Sequence, residues 1–390
     1  MSKIEKLINE LYPNGVEWVK LGDCCEMKRG VRVTKKDLIE NGDYPIYSGG
    51  ISEFGRINSF NREANTITIA QYGTAGFVNI INERFWANDV CCSIFPNLQI
   101  ANNKFVYYCL MNLQQYFYKI RNEKATPYSI DLGLVGKTQI PLPPLAVQEE
   151  IVRILDNFTE LTAELTAELT AELTARQKQY KYYRNSLLTF GDDVEWVSLG
   201  DVGEFTRGNG LPKTDFTEKG VPAIHYGQIY TYYGLSTDKT ISFVSNETAV
   251  KLKKVNYSDV VITNTSENLE DVGKALVYLG KEQAVTGGHA SIFKPSQELL
   301  SKYFAYYTQT EEFFKQKRKY AKGTKVIDVS ANDMEKIQIP LPSLAEQERI
   351  VTILDKFDTL TNSITDGLPK EIELRQKQYE YYRDKLLSFN

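Results

Sequence analysis

Residues Thr162 to Leu173 read Thr-Ala-Glu-Leu three times in succession, with a partial copy, Thr159-Glu160-Leu161, directly in front. From Leu145 to Leu188 there is no proline or glycine, so the block lies inside one long helix-forming run. Both flanks of the run recur near the other end of the chain. Ile140-Pro-Leu-Pro-Pro-Leu-Ala-Val-Gln148 returns as Ile339-Pro-Leu-Pro-Ser-Leu-Ala-Glu-Gln347. Arg176-Gln-Lys-Gln-Tyr-Lys-Tyr-Tyr-Arg184 returns as Arg375-Gln-Lys-Gln-Tyr-Glu-Tyr-Tyr-Arg383. The chain is therefore a duplication in which a long helix closes each copy.

The front of each copy carries its own twin. Val16-Glu-Trp-Val-Lys-Leu-Gly-Asp23 matches Val194-Glu-Trp-Val-Ser-Leu-Gly-Asp201, a shift of 194 − 16 = 178, and Arg29-Gly30 matches Arg207-Gly208 at the same shift. At the helix starts the shift is 339 − 140 = 199, so the second copy holds a net 199 − 178 = 21 extra residues. The β-branched runs Asn65 to Ala70 and Asp259 to Thr263 read as strands, and Lys104 to Ile120 and Leu299 to Arg318 read as helices. Each copy is thus expected to be α+β. The chain divides into an N-terminal helix plus globular region (1–143), a central helix (144–190), a second globular region (191–342) and a C-terminal helix (343–390). Ile4, Leu7, Ile8 and Leu11 share one face of the short N-terminal helix. Because the linker from Leu187 to Asp201 is the twin of Leu7 to Asp23, that helix should pack near the end of the second long helix, making the molecule nearly circular.

The two long helices carry matching apolar stripes. Ile151, Ile154, Leu155, Phe158, Leu161, Leu165, Leu169, Leu173, Tyr180, Tyr183 and Leu187 each have a counterpart 199 positions later, from Ile350 to Leu386. The mostly 3–4 spacing is that of a coiled-coil seam, and the steps of four between Leu161 and Leu173 act as stutters. Two equal stripes some 60 Å long are most simply buried against each other. In the second helix Ser343-Leu-Ala-Glu346 reads as a capping box. Gly367-Leu368-Pro369 predicts a kink or break near Asp366, since proline costs an interior helix about 3 kcal/mol.

Composition narrows the function. Among the 390 residues the net charge is −4, so a strongly basic whole-chain footprint for nucleic acid is missing. Five cysteines, with no Cys-x-x-Cys, suit a reducing cytoplasm, and two distant histidines make a metal site an unpromising reading. The N-terminus lacks an apolar signal core and no run is long enough to span a bilayer. There is no Asn-Pro-Pro-Tyr-type adenine-methylation motif, no Gly-x-x-x-x-Gly-Lys-Ser/Thr phosphate loop and no metal-nuclease cluster.

Two globular regions, paired Pro-Leu-Pro-x-Leu-Ala-x-Gln-Glu helix starts, the Thr-Ala-Glu-Leu block and Gly323-Thr-Lys-Val-Ile-Asp-Val-Ser330 resemble the specificity subunit of a type I restriction–modification enzyme over essentially the whole chain. The resemblance implies two target recognition domains, each reading one half of a bipartite double-stranded DNA sequence. It implies that the helices form an antiparallel coiled coil that sets the spacer and docks two methyltransferase subunits, through which restriction subunits join. Catalysis and S-adenosylmethionine would then belong to those partners, with no cofactor in this chain. The alternatives are a specificity subunit of a modification-only or phage-defence complex, and a structural coiled-coil adaptor.

Candidate DNA contacts are polar, aromatic and glycine-rich loops at corresponding places in the two copies. In the first they are Lys28, Arg29, Gly30, Tyr47, Ser48, Gly49, Gly50, Gln71, Tyr72, Gly73, Thr74, Arg121, Lys124 and Tyr128. In the second they are Arg207, Asn209, His225, Tyr226, Gln228, Tyr230, Thr231, Thr265, Ser266, His289, Lys322 and Lys325. Arginine can grip guanine bidentately, glutamine can grip adenine, and glycine admits the duplex close to the backbone. Lys317, Arg318, Lys319, Lys322 and Lys325 are expected on phosphates, which position without specifying. The plain alternative for Arg29 and Arg207 is an internal salt bridge, and for His225 a buried, satisfied ring.

Overall fold

The computed structural model describes residues 15–191, 193–362 and 366–389. The expected helix over Ile4 to Leu11, with its packing against the second long helix, and Ile364 of the second stripe lie outside these residues. The chain forms two compact units, residues 1–166 with 374–390, and residues 167–373.

The first unit runs β1 (Trp18–Lys20), α1 (Leu21–Cys24), β2 (Cys25–Arg29), β3 (Tyr44–Tyr47), β4 (Gly55–Ile57), β5 (Thr66–Ala70), β6 (Val78–Ile81), β7 (Trp86–Ala87), β8 (Cys91–Pro96), α2 (Asn103–Asn112), α3 (Gln114–Ile120), α4 (Leu132–Gly136), β9 (Gln139–Pro141) and the start of α5 (Leu145–Leu187). Its main sheet has the order β2-β8-β5-β6, a smaller sheet the order β4-β3-β7, and β1 pairs with β9. The central strand β5 is buried along its whole length, which is why it reads as an unbroken β-branched run. Leu113 interrupts the helix expected over Lys104 to Ile120: its amide accepts the C-cap role for α2, bonding to the Cys109 carbonyl, and α3 starts anew beyond it.

The second unit repeats this plan with more strands. It contains β10 (Trp196–Ser198), β11 (Gly203–Arg207), β12 (Phe216–Thr217), β13 (Val221–Ile224), α6 (Tyr226–Thr231), β14 (Ser236–Thr237), β15 (Ser242–Val244), α7 (Asn246–Lys251), β16 (Lys253–Val255), β17 (Val260–Thr263), β18 (Thr265–Ser266), β19 (Ala275–Tyr278), β20 (Ala284–Thr286) and β21 (Ala290–Pro295). Then come α8 (Ser301–Tyr307), α9 (Glu311–Tyr320), β22 (Ile327–Asp328), α10 (Ala331–Met334), β23 (Gln338–Pro340), α11 (Leu344–Asn362) and the start of α12 (Leu368–Ser388). The sheets are β11-β21-β17-β19-β14, β12-β15-β13-β20-β16, β18-β22 and β10-β23. Thr310 caps α9 by accepting from the Phe313 amide, so the helix expected over Leu299 to Arg318 is also two helices.

Register locates the extra residues. Ile67 pairs with Ile94 as Val260 pairs with Phe293, so the central strands are displaced by 260 − 67 = 193. Arg29 pairs with Cys92 as Arg207 pairs with Ser291, a displacement of 291 − 92 = 199 at the last strand. Against the 178 at the front, 193 − 178 = 15 residues enter before the central strand, where the second unit builds α6 and α7, and 199 − 193 = 6 enter after it.

The repeated helix starts earn their sequence by a buried latch. Gln148 accepts from the Asn102 amide at 2.7 Å and donates to the carbonyls of Ile100 and Pro143 at 2.8 and 2.7 Å. Gln347 makes the matching set with the Leu300 amide and the carbonyls of Glu298 and Pro342, each at 2.9 Å. Two turns further, Asp156 takes Lys104 and the Tyr108 hydroxyl, and Asp355 takes Lys302 and the Tyr306 hydroxyl, all at 2.7 Å. Of the expected capping box, the Ser343 hydroxyl accepts from the Glu346 amide, while the Glu346 carboxylate turns to Arg349 in a two-pronged ion pair.

Within each unit the long helices pair antiparallel. In the first, Ile151 and Leu155 share a core with Leu387, Phe158 stacks on Tyr382 at 5.6 Å, and the Thr159 hydroxyl donates to Tyr379. Numbers rise along α5 as they fall along α12. In the second, Leu188 shares a core with Ile350 and Leu354, and Tyr183 stacks on Phe357 at 5.3 Å. Phe357 and Tyr183 are the duplication partners of Phe158 and Tyr382, so one contact is made twice with the helices exchanging roles. Leu161 departs from the stripe: it is 59% exposed, whereas Leu169, two steps of four further on, is buried. The break near Asp366 is present. Helix α11 ends at Asn362 and α12 restarts at Leu368, putting Pro369 in a first turn where its missing N–H costs nothing.

Candidate nucleic-acid interface

In the first unit, most of the selected loops are stitched into one surface at the ends of β2, β3 and β5. The Thr74 amide and hydroxyl both donate to the Gly49 carbonyl, the Gly73 amide to Tyr128, and the Ile130 amide to Gln71. Gly49 is required: a Cβ there would lie 2.2 Å from the Tyr72 carbonyl oxygen. Gly73 sits at φ +80°, a conformation glycine adopts without strain. Gly30 is pressed against Ala87 in the same way, and Asn88 bridges from the Val33 backbone to the Ser48 hydroxyl. Tyr47 packs edge-on against Phe85, and burial raises its hydroxyl pKa. Gly50, Tyr72, Lys124 and Tyr128 are exposed.

Several selected cations are already engaged. Lys28 pairs with Glu26 at 2.8 Å, and Arg121 pairs with Glu123 while lying against the rings of Tyr118 and Tyr128. Arg29 is exposed and forms no ion pair among the described residues. Its backbone is fixed from behind by Arg62, which donates to the Arg29 carbonyl at 2.8 Å and to the Ser93 hydroxyl at 2.7 Å. Gln71 is buried rather than presented: it is 6% exposed, and its Oε1 has no hydrogen-bond partner among the described residues.

The second unit gathers its selected residues at the equivalent place. Arg207 approaches Asp328 at 3.8 Å and the Gly288 carbonyl, so it is partly held by the internal salt bridge yet half exposed. Asn209 pairs with Gly287 and donates to the Lys251 carbonyl. The Thr265 hydroxyl lies 2.9 Å from His289 Nδ1, and the His289 ring is 4.9 Å from Tyr226, which neighbours Tyr230. His225 caps α6: its Nδ1 accepts from the Gly227 amide, and burial lowers its pKa, with Lys213 and His289 adding to the effect. The ring is therefore largely satisfied.

Other side chains are spent internally, which sequence could not reveal. Gln228 completes the cap of α6 and donates to Ser242, and Thr231 donates to the Gly227 carbonyl. Thr265 and Ser266 are buried in pairing with Asp328 and Ile327. Lys322 is tied to Asp333, whose carboxyl is held well below the usual range by hydrogen bonds from Lys336, Ser330 and Lys322. Lys325, Arg318 and Lys319 are exposed. Lys317 corrects the reading of that segment: it does not face a phosphate, because it is 3% exposed and donates to the Val272 carbonyl at 2.6 Å. Arg62, Asn88 and Asp328 are structural members of the two surfaces that nothing in the local pattern announces.

The central slots differ between copies. The Gln71 and Asn264 amides make the same bond, to Val90 and His289 respectively. Asn264 has both ends of its side chain satisfied, by the Val329 carbonyl and the Ser291 hydroxyl. At the place of Ser291 the first copy has Cys92, and the longer Gln71 keeps an open acceptor.

Two duplicated loop surfaces and twin helix latches make this a chain built from one plan used twice. The family model for the type I restriction modification DNA specificity domain matches residues 13–175 and 191–374, and the chain belongs to that family. It is 34% identical to the EcoR124I/EcoR124II specificity subunit of Escherichia coli, covering 100% of this chain and 97% of that one. It is 29% identical to the EcoprrI specificity subunit, also of Escherichia coli, over 94% of this chain and 92% of that one. A chain solved in a study of type I restriction–modification assembly superposes with TM-score 0.66 at 18% identity, over 96% and 98% of the two chains. The HsdS subunit of Thermoanaerobacter tengcongensis gives 0.50 at 18% identity, over 98% of both.

Proposed function

We propose that this type I specificity subunit reads a bipartite double-stranded DNA sequence, each copy contacting one half-site through the loops described above. The observation that carries the reading is a contrast between shared and divergent parts. The latches around Gln148 and Gln347 and the Lys–Asp–Tyr clusters are the same in both copies, whereas the loop surfaces differ in length, side chains and hydrogen bonding. Identical supports with different reading edges suit an asymmetric target.

Two copies of one partner fit the remaining surface, and a methyltransferase subunit carrying S-adenosylmethionine is the partner that the family implies. Trp18 and Trp196 are exposed at duplicated positions, as are Tyr182 and Tyr381 at 69% and 61%. In the second unit a cavity of about 460 Å³ is lined by Phe190, Trp196 and Tyr307, whose hydroxyl has no partner among the described residues. Restriction subunits would join through the methyltransferases. Five free, buried cysteines favour a cytoplasmic setting, and no helix among the described residues is long and apolar enough to cross a membrane.

The Thr-Ala-Glu-Leu block is proposed as a spacer. Helix α5 is unbroken through it, so deleting Thr166–Leu169 removes about 6 Å of rise, or about two base-pair steps at most. The experiment is methylome sequencing of cells expressing this chain with its methyltransferase. A two-part motif whose gap changes in the deletion while both halves persist is expected. A single uninterrupted motif overturns the bipartite reading, and an unchanged gap overturns the spacer.

A further inference from the structure

The two copies return from their central strand at the same glycine by different means. In the first, the Gly76 amide bonds back to Ala70 at 2.8 Å, closing a loop of five residues, Gln71 to Ala75. In the second, the Gly273 amide bonds back to Thr263 at 2.8 Å, closing a loop of nine, Asn264 to Val272. Both glycines have positive φ, +89° and +76°. A Cβ on Gly76 would meet Phe117 at 3.1 Å, and a Cβ on Gly273 would meet the Lys317 Cδ at 2.8 Å. Lys317 on α9 therefore occupies the place that Phe117 fills on α3.

A buried ammonium where the twin has a benzyl group is costly unless its donors are used. They are used on the longer loop. Lys317 Nζ donates to the carbonyls of Val272 and Glu270 at 2.6 and 3.3 Å, and it lies 5.1 Å from the Phe314 ring. Glu270 and Asp271 are the acidic groups that favour its charge, while burial acts against it and lowers its pKa to about 8. The near limb of the loop is held separately, by the pairing of Thr265 and Ser266 with Asp328 and Ile327 and by the Thr265–His289 contact. Between these anchors lies the tip, Glu267 to Glu270, exposed except for half-buried Leu269, with Asn268 and Asp271 joined by two hydrogen bonds of 2.8 Å.

We propose that Lys317 is a positioning residue for DNA reading by the second copy: it touches no base itself, and fixes the nine-residue loop that meets that copy's half-site. Without Lys317 the far limb keeps the Thr263 hydroxyl's bond to the Asp271 carbonyl and the Gly273 amide's bond to Thr263, but loses its tie to Glu270 beside the tip, and base readout needs the tip held to a fraction of an ångström. Phe117 cannot do this work in the first copy, and need not, because the five-residue loop there is closed by Gly49, Thr74 and Tyr128.

The inference rests on the bipartite reading, and the two copies supply each other's control. Wild type, Lys317→Met and Lys317→Arg are each expressed with the methyltransferase, and genomic methylation is sequenced alongside melting of the purified chains. With Lys317→Met, methylation at sites mismatched in one half of the motif should rise at least tenfold, the other half staying as strict as in wild type. Lys317→Arg, which keeps a buried cation, should recover most of the strictness. An unchanged motif for Lys317→Met, or equal loosening of both halves with a lowered melting temperature, overturns the proposal. A wild-type motif lacking two parts would fail the underlying reading instead. A second variant combines Lys317→Phe with deletion of Asn268–Asp271 to copy the first unit's closure. It should fold and change only the same half-site.

Discussion

Replacing Gln148 with leucine removes a side chain that is fully buried and makes three hydrogen bonds to backbone groups. The shape is nearly kept, so the loss is chiefly the desolvation penalty of one amide and two carbonyls left unpaired. At about 1–3 kcal/mol for each of the three unsatisfied buried groups, the gross cost is about 3–9 kcal/mol. Greater burial of apolar surface by leucine returns about 1 kcal/mol. A net loss of about 2–8 kcal/mol is therefore expected, a large fraction of the stability of an ordinary domain. Gln347→Leu should cost a similar amount, because its three bonds are the same in kind. The two sites share no partner, so the double variant should show both losses. The chain's three tryptophans make the assay local. Trp18 and Trp86 lie in the first unit and Trp196 in the second, so urea unfolding can be followed with the other unit's tryptophans replaced by phenylalanine. Gln148→Leu should shift the Trp18/Trp86 transition most, and Gln347→Leu the Trp196 transition. A shift below about 1 kcal/mol in either would refute the claim that the repeated glutamine is a structural latch.

Gly49→Ala drives a methyl group into the Tyr72 carbonyl, so one half of the methylation motif should loosen or vanish while the chain still folds; methylome sequencing with a melting control reads both. Arg29→Ala should weaken DNA binding more than Arg207→Ala, because Arg207 is partly committed to Asp328; equal losses in gel-shift titration of the assembled complex would contradict this. Asp333 has its carboxyl pKa depressed by Lys336, Ser330 and Lys322, so its stabilising contribution is present above the ordinary aspartate value near 4 and lost as pH falls through the lower folded value. Asp333→Asn should accordingly lower the melting temperature at pH 7 and narrow the difference from wild type in strong acid. With net charge −4, the chain alone should bind duplex DNA weakly at physiological salt; a nanomolar specific complex without a methyltransferase would refute that.

The duplication, the α+β character, the paired stripes and the break before Leu368 were legible because each is written in residue period or in proline and glycine. The helix splits at Leu113 and Thr310 were not, since local capping there competes with an unbroken apolar pattern. Exposure at Leu161 beside burial at Leu169 was not legible either, because both occupy the same place in the four-residue repeat. On the candidate surface, the glycine-rich turns were legible because close backbone approach and positive φ demand glycine, as at Gly49 and Gly73. Side-chain commitments were not: Gln228 looks like a base reader and is a helix cap, Lys317 looks like a phosphate contact and is a buried tie. Charge and polarity say what a residue could bind, and only packing says which neighbour has already bound it.

The glutamine latches carry an evolutionary consequence. Each closes its own helix start using backbone groups alone, so it asks nothing of the side chains in the preceding globular region. Recombination at the Pro-Leu-Pro boundaries could thus bring in a foreign reading region against an unchanged scaffold, and a new DNA preference could arise by exchange of whole cassettes instead of by gradual point mutation.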